Sequence, residues 1–599
     1  MKHYLRIKPM RDMSCGFLFA ALLLVSLGAY KDIKALAPGP YQVAIQNGVR
    51  TKMRDGVQLV ADIYRPSADG KFPVLLTRTP YNRKGSASDA YTLSSYGYVV
   101  ILQDTRGRFD SEGEFYPFKY ESQDGYDTVE WAAVLDYANG QVGMFGGSYV
   151  GATQMLAAMA KPPHLTAIFP YVTASEYYEG WTYQSGALAQ WFASSWSSGL
   201  VIDTLRRKGD QNQRPKDWVT TMPLDEYPMA RLPQTSELAP YYRDWVTHER
   251  DDEYWKPWKI SDHYGEMTIK GLHAGGWHDL FLKGSITNYL GLRDSAATPE
   301  ARAGQRLLLG PWAHAPTSEE GKIGDVTFGK DAWQDTPKTM LAWFDYALKG
   351  VRNDFSSDAP VRIFVMGDNV WRDEKEFPLA RTKYTKYFLH SVKGANTING
   401  DGVLNVTNPG SEKADSYAYD PANPVPTLGG RLCCGVAIPP GPANQQPNES
   451  RTDVLVFSTP KLEKDLEVTG FISVDLYASS SAVDTDFTAL LVDVDQSRYA
   501  RFLTDGIVRA RYRDSTTKAE PITPGQIYKY TIDIWATSNV FKAGHLLRLY
   551  ISSSNFPRFN RNLNTGEANL GATRMLTANQ TIYHDREHPS AITLPVIPR

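Results

Sequence analysis

Cysteine is almost missing from these 599 residues, with only Cys15, Cys433 and Cys434 present. That scarcity excludes a disulfide scaffold, and the adjacent pair has no third or fourth thiol beside it to complete a metal centre. Cys433 and Cys434 are then two free thiols or a strained ring between neighbours. An excess of either charge is missing too. Lys plus Arg number 64 against 66 Asp plus Glu, so no overall field draws the chain to nucleic acid or anionic lipid. Beyond residue 37 no run is apolar enough to cross a bilayer. Ahead of that point Lys2, Arg6, Lys8 and Arg11 lead into a short apolar stretch, Gly16 to Tyr30, and Ala35-Leu36-Ala37 offers a small-x-small cleavage site. Residues 1–37 read as a secretory signal, which predicts a secreted or periplasmic protein with no stable membrane insertion. Internal repeats and low-complexity tracts are also lacking.

What the chain does have is a serine set between glycines: Gly146-Gly147-Ser148-Tyr149-Val150-Gly151. Val142 to Phe145 reads as a buried strand and Thr153 to Ala160 as a helix, so Ser148 sits on a strand-to-helix turn, the layout of a nucleophile elbow. Around it strand and helix alternate. Tyr41 to Pro66 reads as hairpin strands, Phe72 to Thr77 and Tyr98 to Gln103 as strands buried on both faces. A helix is expected from Asp124 or Asp127 through Val134 and Leu135 to an Asn139-Gly140 stop. Further strands are expected at Leu165 to Val172, Thr268 to Gly275 and Arg306 to Leu309, and a capped helix over Asp335 to Lys349. This pattern predicts a mostly parallel sheet covered on both faces.

The alternation breaks between residues 173 and 262, where aromatic residues with helical spacing predict a helical cap. After Gly350 the texture turns all-β, with strands expected at Val361 to Met366, Lys386 to His390, Val454 to Phe457, Leu466 to Tyr477, Phe487 to Val494, Ile527 to Trp535 and Leu546 to Ser552. The expected architecture is therefore an α/β-hydrolase domain (41–172 and 263–350), a helical cap (173–262) and a β jelly-roll, galactose-binding-like domain (351–599) behind the signal.

Ser148 is followed in chain order by Asp279 and His314, each just past a predicted strand. Strand ends on one edge of a parallel sheet converge, so the three can meet as nucleophile, acid and base. The Tyr149 N–H is placed to serve an oxyanion. His273 and His278 lie too close to Asp279 in sequence to face it, and Asp104 precedes the serine. Trp181, Trp191 and Phe281 are candidates to line a substrate pocket, although cap aromatics also serve as plain core.

With these motifs in place, the chain resembles the cocaine esterase and glutaryl-cephalosporin acylase group of serine hydrolases, relatives of the X-Pro dipeptidyl peptidases and α-amino acid ester hydrolases. The resemblance rests on Gly146 to Gly151, Gln103 to Gly113, Gly276-Trp277-His278-Asp279, Gly310-Pro311-Trp312-Ala313-His314, Trp343 to Gly350 and Gly544 to Leu549. It implies a second oxyanion donor, the Tyr81 hydroxyl. It also implies an enzyme with no cofactor or metal, acting on a small ester or amide through an acyl-enzyme, as a monomer or a homo-oligomer. The carboxylate cluster of the amino acid ester hydrolases is not matched: Leu280, Phe281 and Leu282 follow Asp279, and only Glu179 lies near the remaining position. The extra N-terminal domain usual in X-Pro dipeptidyl peptidases is not matched either. Both of those activities are weaker expectations than an esterase or amidase for a neutral or acidic acyl group. A carbohydrate-binding protein with an inert hydrolase fold is the remaining alternative.

Overall fold

The computed structural model describes residues 39–208, 222–224, 238–314, 317–435 and 437–599; the leader expected over 1–37 lies outside them. Ten strands form the first sheet. They are β1 (Val43–Lys52), β2 (Gln58–Pro66), β3 (Phe72–Thr79), β4 (Val99–Asp104), β5 (Ala138–Gly147), β6 (Leu165–Tyr171), β7 (Lys270–His278), β8 (Gln305–Ala313), β9 (Val361–Val365) and β10 (Val370–Glu374). The spatial order is β1-β2-β4-β3-β5-β6-β7-β8-β9-β10. From β4 to β9 every neighbouring pair is parallel, while β1, β2 and β10 pair antiparallel.

The continuous apolar runs explain why the sheet lies in the middle. On β3, Val74 and Leu76 enter one core with Val129, Met155 and Leu156, and Leu75 enters another with Leu93, Trp343 and Phe344. Helices α2 (Glu121–Ala133) and α3 (Tyr149–Met159) thus cover one face, and α1 (Ala87–Ser95) and α7 (Thr336–Lys349) the other. Each fully buried Leu or Val is worth about 1.5–3 kcal/mol in removed apolar surface. Helix α7 starts where the Asp335 side chain accepts from the Lys338 N–H and stops at Gly350, whose φ of 69° few other residues tolerate.

Three expectations change. Helix α2 begins at Glu121 and ends at Ala133; Val134 is 71 % exposed, and Asn139-Gly140 belongs to β5. The early start lets Glu121 turn inward onto Arg78, 2.7 Å away. Helix α1 carries no strong sequence signal and was not anticipated. Val361 to Met366, expected to open the all-β region, instead extends the first sheet beside β8.

Between β6 and β7 lie helices α4 (Gln190–Arg207) and α5 (Pro240–Thr247) with two short 3₁₀ turns. Helix α6 (Leu282–Ser295) follows β7. The C-terminal region is a second sheet of eleven strands: β11 (Lys383–His390), β12 (Val403–Asn405), β13 (Asp415–Tyr419), β14 (Leu455–Ser458), β15 (Leu466–Ser480), β16 (Asp486–Val494), β17 (Ala500–Arg509), β18 (Tyr528–Phe541), β19 (Leu546–Ser552), β20 (Ala578–Tyr583) and β21 (Ala591–Ile597). Their order is β13-β20-β15-β21-β11-β12-β14-β19-β16-β17, with β18 also paired to β15. This β-region packs against α4: the Trp191 N–H donates to the Pro557 carbonyl and Gly186 is pressed on the Tyr512 ring. Cys433 and Cys434 are bonded to one another in the long loop before β14.

Candidate active site

Ser148 occupies the turn between β5 and α3 with φ 60° and ψ −128°, a left-handed backbone that a serine adopts only under constraint. The constraint is visible in its neighbours. A Cβ on Gly146 would sit 2.2 Å from Val150, on Gly147 2.1 Å from the Tyr171 ring and on Gly151 2.8 Å from Thr173. The Ser148 N–H donates to the Tyr171 carbonyl, and its own carbonyl accepts from Gly151 and Ala152 as α3 begins.

Asp279 follows β7 and His314 follows β8, three strands from β5. His314 Nε2 is 3.0 Å from Ser148 Oγ, and His314 Nδ1 is 2.7 Å from Asp279 Oδ2. Asp279 is fully buried, and its other oxygen accepts from the Phe281 N–H at 2.6 Å. The carboxylate is thereby fixed at both oxygens, and the imidazole tautomer with Nδ1–H is selected, leaving Nε2 as an acceptor for the serine proton.

Tyr81 follows β3 and reaches the same place. Trp196 Nε1 donates to its hydroxyl oxygen at 2.8 Å, and the Ser148 hydroxyl and Tyr149 N–H also lie in contact with that oxygen. Burial pushes the phenol up to about 12 against the pull of those hydrogen bonds. The Trp196 N–H donates to a lone pair of the hydroxyl oxygen, which leaves the phenol's own proton available to donate. The Tyr149 side chain takes a separate job. It is buried, donates to Glu121 Oε1 at 2.9 Å and accepts from the Phe118 N–H, which holds α3 to α2.

The three proposed pocket aromatics part company. Phe281 stands edge-on to the His314 ring at 5.2 Å, and Trp181 stacks on Phe281 at 4.3 Å. Trp191 turns away and donates through Nε1 to the Cys433 carbonyl. His273 is spent on Gln305, with burial lowering it to about 4. Burial also keeps His278 well below its usual value, among Phe328 and Phe502. Asp104 pairs with Arg83. Glu179 lies 3.2 Å from Lys283, whose ammonium also meets Asp533 at 3.0 Å. Sequence reasoning missed Arg108, whose buried guanidinium donates to the Pro80 and Leu200 carbonyls and so ties the Tyr81 turn to α4. Its place in the Gln103 to Gly113 run was the available signal. Trp196 is one of several aromatic residues between 173 and 262, and nothing in its spacing marks it as the partner of Tyr81.

Residues 55–316 match the family described as X-Pro dipeptidyl-peptidase (S15 family), and residues 353–593 match the X-Pro dipeptidyl-peptidase C-terminal non-catalytic domain. The chain is 39% identical over 592 residues to cocaine esterase of Rhodococcus sp. (strain MB1 Bresler), covering 94% of this chain and 100% of that protein. Among solved structures, an aminopeptidase from the marine sediment archaeon Thaumarchaeota archaeon superposes with TM-score 0.79 at 25% identity, over 95% of this chain and 99% of that one. An α-amino acid ester hydrolase shares the fold with TM-score 0.76 at 23% identity, again over 95% and 99%. Sequence and fold together place the chain in the X-Pro dipeptidyl-peptidase (S15) family beside cocaine esterase, and it is a serine hydrolase of that family.

Proposed function

We propose that the enzyme cleaves carboxylic esters of small, non-cationic acyl groups through an acyl-enzyme on Ser148. His314 accepts the Ser148 proton as Oγ attacks the carbonyl carbon, and returns it to the departing alkoxide. Asp279 holds the imidazole and balances the imidazolium. The tetrahedral oxyanion is met by the Tyr81 hydroxyl and the Tyr149 N–H, donors fixed before the charge appears. Water, deprotonated by His314, then releases the acid. The observation that carries this reading is the unbroken chain from Asp279 through His314 to Ser148 with the Tyr81 hydroxyl beside it.

The acyl group is read as non-cationic because Glu179 is already matched by Lys283, leaving it little attraction for a substrate ammonium. Phe281 and Trp181 form the apolar wall beside the imidazole; Trp191 acts behind it. We further assign the second sheet to a jelly-roll, galactose-binding-like module, and the leader over 1–37 to export to the periplasm or medium. The domain limits 41–172 with 263–350, 173–262 and 351–599 remain our division of the chain, with the hydrolase sheet reaching on to Glu374.

The test is kcat/KM on a short-acyl nitrophenyl ester, glutaryl-p-nitroanilide and glycyl-prolyl-p-nitroanilide, with Ser148→Ala as the blank. The ester is expected to turn over fastest. Ester turnover no greater than the blank would refute the assignment. A dominant rate on the glycyl-prolyl amide would make the enzyme a dipeptidyl peptidase.

A further inference from the structure

Beside Trp181 is a cavity of about 30 Å³ whose wall does not include Phe281, room for about two waters. All three parts of the fold contribute to its wall. Gly180, Trp181, Trp191 and Phe192 come from the region between β6 and β7, Leu280 from the residue after Asp279, and Arg431, Trp535 and Arg558 from the β-region. The Gln184 carboxamide in this wall is already engaged by the Asp533 carbonyl and Arg558. Trp181 Nε1, Trp535 Nε1 and Arg431 Nε are all buried donors without a partner. An orphaned donor is rare and costly in a protein interior, and three around one small space call for a ligand that accepts.

Arg431 adds charge to that request. Its side chain is wholly buried, with Nη1 and Nη2 donating to the Asp505, Ile534 and Ala536 carbonyls. The nearest carboxylate, Asp505, is 3.8 Å away and already engaged by Arg558 and Asn555. Burial pulls the Arg431 guanidinium down to about 9, a pull that Asp505, Asp533 and Asp279 resist and Arg558 adds to, with the Trp535 ring 4.7 Å from its Cζ. The cation is therefore under-compensated where it stands.

We propose that this cavity is a binding site for a small carboxylate, held by Arg431 Nε and the Trp181 and Trp535 indole N–H groups. The carboxylate is either free, of formate size, or carried on the far end of an acyl chain that passes the Phe281–Trp181 stack. The second source rests on the ester-hydrolase reading above; the first does not. Because the donors come from separate modules, occupancy also joins the β-region to the cap.

Two arms distinguish the sources. In the first, catalytically silent Ser148→Ala protein is titrated with sodium formate at fixed ionic strength and its melting temperature followed. A saturable rise of about 2–4 °C is expected. It should shrink on adding Trp535→Phe, which removes one N–H and keeps the ring, and vanish with Arg431→Met. In the second, active protein is compared on nitrophenyl esters of dicarboxylic acids, succinate to adipate, and of methyl-ended acids of equal length. Trp535→Phe should lower kcat/KM roughly tenfold on the carboxylate-ended esters alone. Success in the first arm only assigns the site to free carboxylate, and success in the second to the substrate's own. The proposal is overturned if formate acts without saturation and equally in the Trp535→Phe background, and both ester series respond alike. Failure of ester turnover altogether would fall on the proposed function, since the formate arm needs no catalysis.

Discussion

The molecule contains two constellations of serine, histidine and acid, and they are built for opposite ends. In the first, His314 has Asp279 on Nδ1 and Ser148 on Nε2. In the second, within the β-region, His584 has Glu412 on Nδ1 at 3.2 Å and Ser391 on Nε2 at 3.3 Å. The second set differs in one further neighbour. Asp415 Oδ2 also faces His584 Nε2 at 3.2 Å, and the Ser391 hydroxyl donates to Asp415 Oδ1 at 2.9 Å. With a carboxylate at each ring nitrogen, hydrogen bonds and charge from Asp415 and Glu412 outweigh burial and raise the His584 pKa. A histidine biased toward its charged form by two carboxylates is a poor acceptor for a serine proton, and this serine's proton is already committed to Asp415. A triad thus requires more than three residue types in contact. The acid must be confined to one side of the ring, and the serine must stand on a strained turn facing oxyanion donors.

The comparison breaks most sharply at the serines. Ser148→Ala is expected to lower kcat on a nitrophenyl ester by at least about 10⁴-fold, and Asp279→Asn by about 10⁴ through loss of the required tautomer. Ser391→Ala is expected to leave kcat within about twofold, because this buried serine is bonded to Asp415 and His584 in the β-region. A Ser391→Ala enzyme as dead as Ser148→Ala would reverse the assignment of the two sites. Tyr81→Phe comes next, with kcat down about 10²–10³-fold and KM little changed, the signature of a donor used mainly in the transition state.

Smaller effects concern stability. Asp415→Asn leaves His584 short of one carboxylate, and breaking such a buried pair costs about 3–5 kcal/mol. The expected result is a clearly lower melting temperature with esterase kcat unchanged. The smallest effect is in pH. A histidine whose pKa is raised on folding stabilises fully below its unfolded value, about 6.5, and that contribution fades as pH rises through the folded value. Melting temperature should therefore fall from pH 6 to pH 9 on account of this residue. His584→Gln should remove that slope at a lower overall stability, and a slope identical in the variant would assign it to other groups.

The two regions were unequally legible in the sequence. Around Ser148 the glycines, the buried runs and the chain order of Asp279 and His314 are local signals, because a tight turn and a parallel sheet each impose residue types at fixed places. In the β-region six strand runs were anticipated, but Val403–Asn405, Asp415–Tyr419, Ala500–Arg509, Ala578–Tyr583 and Ala591–Ile597 were not. Many of their buried positions are polar or charged, such as Asp505 and Arg509, which masks the alternation.

By itself the sequence determined most of the hydrolase elements, α1 apart, together with the elbow and the order of its three polar residues, because hydrophobic period and turn chemistry act over a few residues. It also marked Tyr81, through its family resemblance. Only the tertiary structure decided that Trp196 supports Tyr81, that Arg108 ties its turn to α4, that Lys283 cancels Glu179 and that Arg431 lies beneath Trp181 and Trp535. Those pairs are separated by up to several hundred residues. Their meeting follows from how three packed modules close on one another, a geometry that no local pattern encodes.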